Sequence, residues 1–141
     1  LHKHGSDLRF VAGNMTVAYG ASFLNSTSWY HLAGTYNSTG ASLFINGTLA
    51  NSTSSPNRGK VILGSEAYIG GDNRSTTLKG NLDEVAVYAY AKSAAQIYGD
   101  YINSTYTAMI YKDVVGYWHF DESSGGTAYD ASPSVNNGTL Y

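Results

Sequence analysis

The stretch "WYHLAGTYNSTGASLFINGTLANS", Trp29 to Ser52, decides the fold. It holds three candidate strands in succession, "WYHLAGTYN", "ASLFING" and "TLANST". Period-2 alternation of apolar and polar residues suits a strand with one face buried, because successive side chains point to opposite faces. Between the last two runs stands Asn46-Gly47. A type I′ turn needs positive φ at both central residues, which Asn-Gly supplies at little steric cost, so the pair predicts a tight hairpin. Asn46 also begins an Asn-X-Thr acceptor pattern, and a glycan there would project from the hairpin tip into solvent.

Working outward, further short runs read as strands: "DLRFVA", "MTVAYGA", "KVILGS", "AYIGG", "LDEVAVYAY", "AMIYK" and "VVGYWHF". With 16 Gly, 13 Tyr and only 2 Pro, the chain predicts an all-β sandwich or jelly roll with frequent turns. One short helix is expected over about Ser93–Ile102. Ser93 and Gln96 match a capping box, and Ile97 and Tyr101 are spaced to share a helix face. "NSTYTA", Asn103 to Ala108, is a candidate junction.

At 141 residues the chain has the length of one domain, or of pieces of two. Charged residues are 13% and the formal net charge is −2, without a basic run, which argues against nucleic acid or an anionic lipid surface as partner. No apolar run approaches the roughly 20 residues needed to span a bilayer. The chain begins at Leu1 without an initiator Met or a signal-like segment, which reads as a processed or excerpted piece of something longer. Cysteine is absent, so no disulfide framework is available.

Eight asparagines open an Asn-X-Ser/Thr pattern: Asn14, Asn25, Asn37, Asn46, Asn51, Asn73, Asn103 and Asn137. Chance would give about two, given the chain's Asn, Ser and Thr content. Either these are turn chemistry in a Ser/Thr-rich β protein, or they are acceptors for N-linked glycans on an exported surface.

The segments "WYHLAGTYNSTGASLFINGTLANS" and "YIGGDNRSTTLKGNLDEVAVYAYAKSAAQI" (Tyr68 to Ile97) together resemble the laminin G-like branch of the concanavalin A-like lectin and glucanase superfamily. The shared pattern is a Trp-aromatic-His strand, an Asn-Gly hairpin, an Ile-Gly, and a Gly-x-Leu-Asp-Glu-Val strand running into a Ser-capped helix. The resemblance implies a jelly-roll sandwich of two antiparallel sheets. It also implies that "VVGYWHFDESSGG", Val114 to Gly126, matches the front of the family's domain, although it comes late in this chain. Residues 1–105 then read as the back of one unit and 106–141 as front strands completing a neighbouring one. Val115, Tyr117, Trp118 and Phe120 would carry that assembly, by addition of a strand to an open edge. Head-to-tail contacts between copies would build a filament or surface array, extracellular or on the cell surface. The alternative is a permuted chain whose tail closes its own sheet.

The candidate sites are few. Asp83 and Glu84 are adjacent on an expected strand and point to opposite faces, so they make no paired acid and base for glycoside hydrolysis. An enzyme is not expected. The resemblance implies a structural calcium, for which Asp83, Asp130 and Asn136 are the candidate ligands by position; Asp130 forming an Asx turn is the competing reading. Tyr88 and Tyr90, expected on one strand face, would either stack on a sugar in a carbohydrate-binding module or pack against a neighbouring copy. Trp118 and Phe120, two apart, read as core. His31 shares a face with Trp29 and Ala33 and reads as a packed histidine. His2 and His4 share a strand face but have no third metal ligand.

Overall fold

Where the alternating pattern is regular, the chain forms antiparallel strands in the computed structural model, which describes residues 1–4, 6–12, 15–25, 27–54, 68–70, 78–102 and 113–140. Among the described residues the architecture is all-β apart from one helix, with antiparallel sheets of a jelly-roll sandwich. The chain divides into two compact units, Leu1–Leu63 with Tyr90–Tyr106, and Gly64–Ala89 with Thr107–Tyr141.

In the first unit, β1 (His2–His4), β2 (Asp7–Ala12) and β3 (Met15–Gly20) form one sheet, in that order. A second sheet holds β4 (Leu32–Asn37), β5 (Gly40–Ile45) and β6 (Thr48–Ser54). Leu8, Met15 and Val17 of the first sheet meet Ala41 and Leu43 of the second in one core, with Leu43 wholly buried at 0% exposure. Phe10 lies so close to Gly34 that an added Cβ would stand 2.3 Å from its ring, so only glycine admits that approach. A register shift between Leu43 and Phe44 marks a β-bulge against β6.

The Asn46-Gly47 turn forms as expected, with φ of 49° and 73°. Its tip does not project into solvent. Gly47 is buried, and a Cβ there would stand 3.0 Å from Tyr101 and 3.1 Å from Tyr98 of the helix α1 (Ala94–Ile102). That helix starts on the expected capping box: Gln96 N–H donates to Ser93 Oγ (3.3 Å) and Ser93 N–H to Gln96 Oε1 (2.8 Å). Ile97 is its buried anchor, and α1 packs against β6.

Trp29, Tyr30 and His31 were expected in a strand, but β4 begins only at Leu32 and Trp29 is 66% exposed. His31 is held instead by the hairpin end: its N–H donates to Asn46 Oδ1 (3.0 Å) and its C=O accepts from Asn46 N–H (2.8 Å). Tyr30 OH donates to the Phe23 carbonyl (2.8 Å). The Asn46 bond to the His31 carbonyl carries the β4–β5 pairing one residue further, and Tyr30 is held outside the ladder.

In the second unit, β7 (Val85–Tyr88) pairs antiparallel with β8 (Val114–Trp118), in the register Val85↔Trp118, Ala86↔Tyr117, Val87↔Gly116 and Tyr88↔Val114. Thr127–Ala128 (β9) and Gly138–Thr139 (β10) form a second small ladder. Both strands of the first ladder are shorter than the sequence predicts. Glu84 (φ 52°) precedes β7 and Phe120 (φ 61°) follows β8 in left-handed conformation, which interrupts extended backbone. "KVILGS" and "AMIYK" fall outside the described residues, and the described part of "AYIGG", residues 68–70, is not a strand.

Candidate functional site

The site is built on the side of β8 opposite β7. Asp130 forms a bridge with Trp118, and Ala131 N–H donates to the Tyr117 carbonyl (2.7 Å), so this segment continues the ladder briefly. The Asp130 carboxylate is 7% exposed and takes four donors. Oδ1 accepts from the N–H of Tyr117 (2.8 Å) and of Ser132 (2.8 Å). Oδ2 accepts from Ser132 Oγ (2.9 Å) and Asn136 N–H (2.6 Å). Buried charge is tolerated where hydrogen bonds replace its hydration. Asp130 is therefore the knot that ties the loop 130–137 to β8, and the bond to Ser132 N–H is an Asx turn.

Asn136 extends the knot: its Nδ2 donates to the Val115 carbonyl (2.8 Å), and its own C=O accepts from Trp118 Nε1 (3.1 Å). Trp118 folds over Gly116, where a Cβ would stand 2.3 Å from the indole, leaving the ring half-buried. Of the four residues expected to carry assembly, Tyr117 is buried, Val115 exposed, and Trp118 and Phe120 half-buried. Phe120 is past the end of β8 and shares no strand face with Trp118. It lines an open depression of about 480 Å³ with Leu78, Leu82 and Leu140.

On the β7 side a cluster appears that spacing alone did not indicate. The Glu84 carboxylate accepts from Tyr117 OH and lies 3.2 Å from His119 Nδ1, while the rings of Tyr117 and His119 stand 4.4 Å apart. Glu84 was expected on a strand beside Asp83. Its left-handed backbone instead aims it at two side chains 33 and 35 residues away. The His119 and Glu84 side chains are 38% and 55% exposed, so their pairing contributes little energy. Among the described residues this carboxylate is flanked by a phenol and an imidazole and not by the facing second carboxyl that glycoside hydrolysis uses.

The residues do not fit a calcium ion. Asp130 and Asn136 come together, but every Asp130 oxygen already faces N–H or O–H donors, whose protons would point at a cation. Asp83 is exposed ahead of β7, and among the described residues no three His, Cys, Asp or Glu gather. Tyr88 and Tyr90 do not share a strand face: β7 stops at Tyr88, where the register shifts, and Ala89 N–H turns to the Asp113 carbonyl (3.0 Å). Tyr88 belongs to the second unit and Tyr90 to the first.

In the first unit His31 is half-buried beside Tyr101, with ring centroids 6.1 Å apart, and its buried Nδ1 has no hydrogen-bond partner among the described residues. Burial pushes its pKa below the ordinary 6.5; the Asp100 charge opposes that and the Lys92 charge adds to it. Lys92 itself pairs with Asp100 at 2.7 Å. Nothing is described of the side chains of His2 and His4 beyond their strand.

The acceptor asparagines differ in setting. Asn25 and Asn37 are exposed and accept from the hydroxyl of their own Thr27 (2.9 Å) and Thr39 (2.7 Å). Asn46 is half-buried and tied to His31. Asn51 donates its Nδ2 to the Ala18 carbonyl (2.8 Å), and Asn137 accepts from Asp130 N–H (3.0 Å). Asn14, Asn73 and Asn103 lie outside the described residues.

Comparison with known proteins gives one family. The model Laminin_G_3, of the Concanavalin A-like lectin/glucanases superfamily, matches residues 3–98. No curated protein matches the chain. Among solved structures the chain is similar to an S-layer domain-containing protein (residues 221–444) from Clostridium thermocellum, at 23% identity and a TM-score of 0.48. The likeness covers 62% of this chain and 45% of that one, so the chain spans less than half of the solved structure it matches.

Proposed function

The chain belongs to the Laminin_G_3 family of the concanavalin A-like lectin/glucanase superfamily, and on that premise we propose that it is a non-enzymatic structural module of an extracellular, N-glycosylated filament or surface array. Copies join head to tail when the 106–141 segment of one supplies β8 to β7 of the next. The observation that carries this reading is the β7–β8 ladder: β7 lies within the family-matched span 3–98, and its partner strand lies beyond it. In this chain the ladder is closed by its own β8. The same register in a second copy makes the same hydrogen bonds, the general route by which strands are exchanged between identical chains. The excess of acceptor asparagines supports an exported location. The carbohydrate-binding alternative drew on Tyr88 and Tyr90 sharing a strand face, and β7 ends before Tyr90.

A disulfide trap tests the assembly. Ala86 and Tyr117 are directly opposite. Paired residues in an antiparallel ladder have Cα atoms about 4.5–5.5 Å apart, within reach of a disulfide. The chain has no cysteine of its own, so in Ala86→Cys/Tyr117→Cys only these two thiols can join. Oxidation of concentrated protein is expected to give a ladder of covalent oligomers on a non-reducing gel. A single monomer band at every concentration would mean that β8 pairs only within its own chain.

A further inference from the structure

The five described acceptor asparagines are not equivalent, and we infer that the fold selects Asn37 as the site of N-glycan transfer onto the folded chain. Asn37 ends β4, exposed, at the tip of the β4–β5 hairpin. Its Oδ1 accepts from Thr39 N–H (2.9 Å), Thr39 Oγ1 (2.7 Å) and Gly40 N–H (3.1 Å). An amide nitrogen is a poor nucleophile because its lone pair is delocalised into the carbonyl. Three donors on the oxygen stabilise the negative charge that gathers there as Nδ2 loses a proton, which makes that proton easier to remove. No protein acceptor holds Asn37 Nδ2 among the described residues.

The other four each lack part of this arrangement. Asn25 has the threonine hydroxyl on its Oδ1, but its Nδ2 donates to Tyr30 OH (2.9 Å). Asn51 Nδ2 is engaged by the Ala18 carbonyl, and its Oδ1 accepts from Ser52 N–H (2.8 Å) rather than from a hydroxyl. Asn46 Oδ1 is spent on the His31 backbone, and Asn137 Oδ1 on that of Asp130. Asn37 also lines, with Thr35, Ser42, Ser52 and Thr53, a polar hollow of about 150 Å³. Hydroxyls there suit the first sugar of an attached chain.

The donor is a glycan linked to a lipid pyrophosphate. Nδ2 passes one proton to a base of the transferase and forms a bond to the anomeric carbon. The bond from that carbon to the pyrophosphate oxygen breaks, and the lipid pyrophosphate leaves with its electron pair. The inference rests on the exported location proposed above, and not on how copies join.

The test is transfer in vitro. Folded, purified chain is incubated with an oligosaccharyltransferase that accepts Asn-X-Ser/Thr and a lipid-pyrophosphate-linked glycan, and occupancy at each asparagine is followed by peptide mass spectrometry. The same assay runs on urea-unfolded chain. In folded protein Asn37 is expected to fill first, roughly tenfold faster than Asn51, which must give up a hydrogen bond. In unfolded chain that lead disappears. Asn37→Gln removes the fast phase and leaves the slow sites. Equal filling of Asn51 or Asn46 in folded chain overturns the inference. So does a lead for Asn37 that survives unfolding, which would place the preference in the tripeptide and not in the fold.

Discussion

Asp130 orders its neighbourhood alone, because one buried carboxylate answers four donors from three residues. Asp130→Ala leaves those donors without their acceptor and is expected to lower stability by about 3 kcal/mol, read from urea unfolding. EDTA is expected to leave the thermal midpoint of the wild-type chain unchanged, since N–H and O–H donors already occupy both carboxylate oxygens. His31 gives the pH dependence. Its folded pKa lies below 6.5, with burial the first cause. Above 6.5 the imidazole is neutral in both states, and its contribution to stability is fully present. As pH falls below 6.5 the unfolded chain binds the proton first, so stability is lost until the lowered folded pKa is reached. His31→Gln should flatten that decline in urea midpoints measured across the acid range. Asp130 and His31 were both visible as candidates in the sequence, but their distant partners were not, because Tyr117 lies 13 residues from Asp130 and Asn46 lies 15 residues from His31.

Elements follow the sequence best where their determinants are local. Ser93 and Gln96 cap α1 within one turn, and Asn46-Gly47 closes its hairpin in four residues. What lies over that turn is not local. Gly47 has φ 73° and helix α1 directly above it, so Gly47→Ala pays for left-handed backbone, about 1–2 kcal/mol, and must also displace Tyr101. The expected result is a lower urea midpoint with far-UV helix signal reduced, because α1 is pushed off β6. Trp29, Tyr30 and His31 were unreadable for a similar reason. They alternate like a strand, yet side chains of Asn25 and Asn46 and the carbonyl of Phe23 claim their polar groups. The strand ending at Tyr88 and the left-handed Glu84 were equally hidden: no residue type at those positions demands a break.

For the whole molecule, the proposed pairing of β7 with a β8 from a second copy would make folding concentration-dependent. The thermal midpoint is then expected to rise with protein concentration, because association stabilises by mass action; a midpoint independent of concentration would indicate closure within one chain. The sequence by itself determined the all-β class, the hairpin at Asn46, the capped helix and the family pattern, since alternation, turn chemistry and capping act over a few residues. It also carried the excess of acceptor asparagines, though not their inequality. Only the tertiary structure decided that Glu84 meets Tyr117 and His119, that Asp130 is saturated with donors, and that, among the described acceptor asparagines, Asn37 alone combines three donors on its oxygen with an amide nitrogen that no described group holds. The partners of Glu84 lie 33 and 35 residues away and one donor of Asp130 lies 13 away, while Asn37 is set apart by what holds the other asparagines, such as the Ala18 carbonyl on Asn51; residue types at fixed spacing do not encode such contacts.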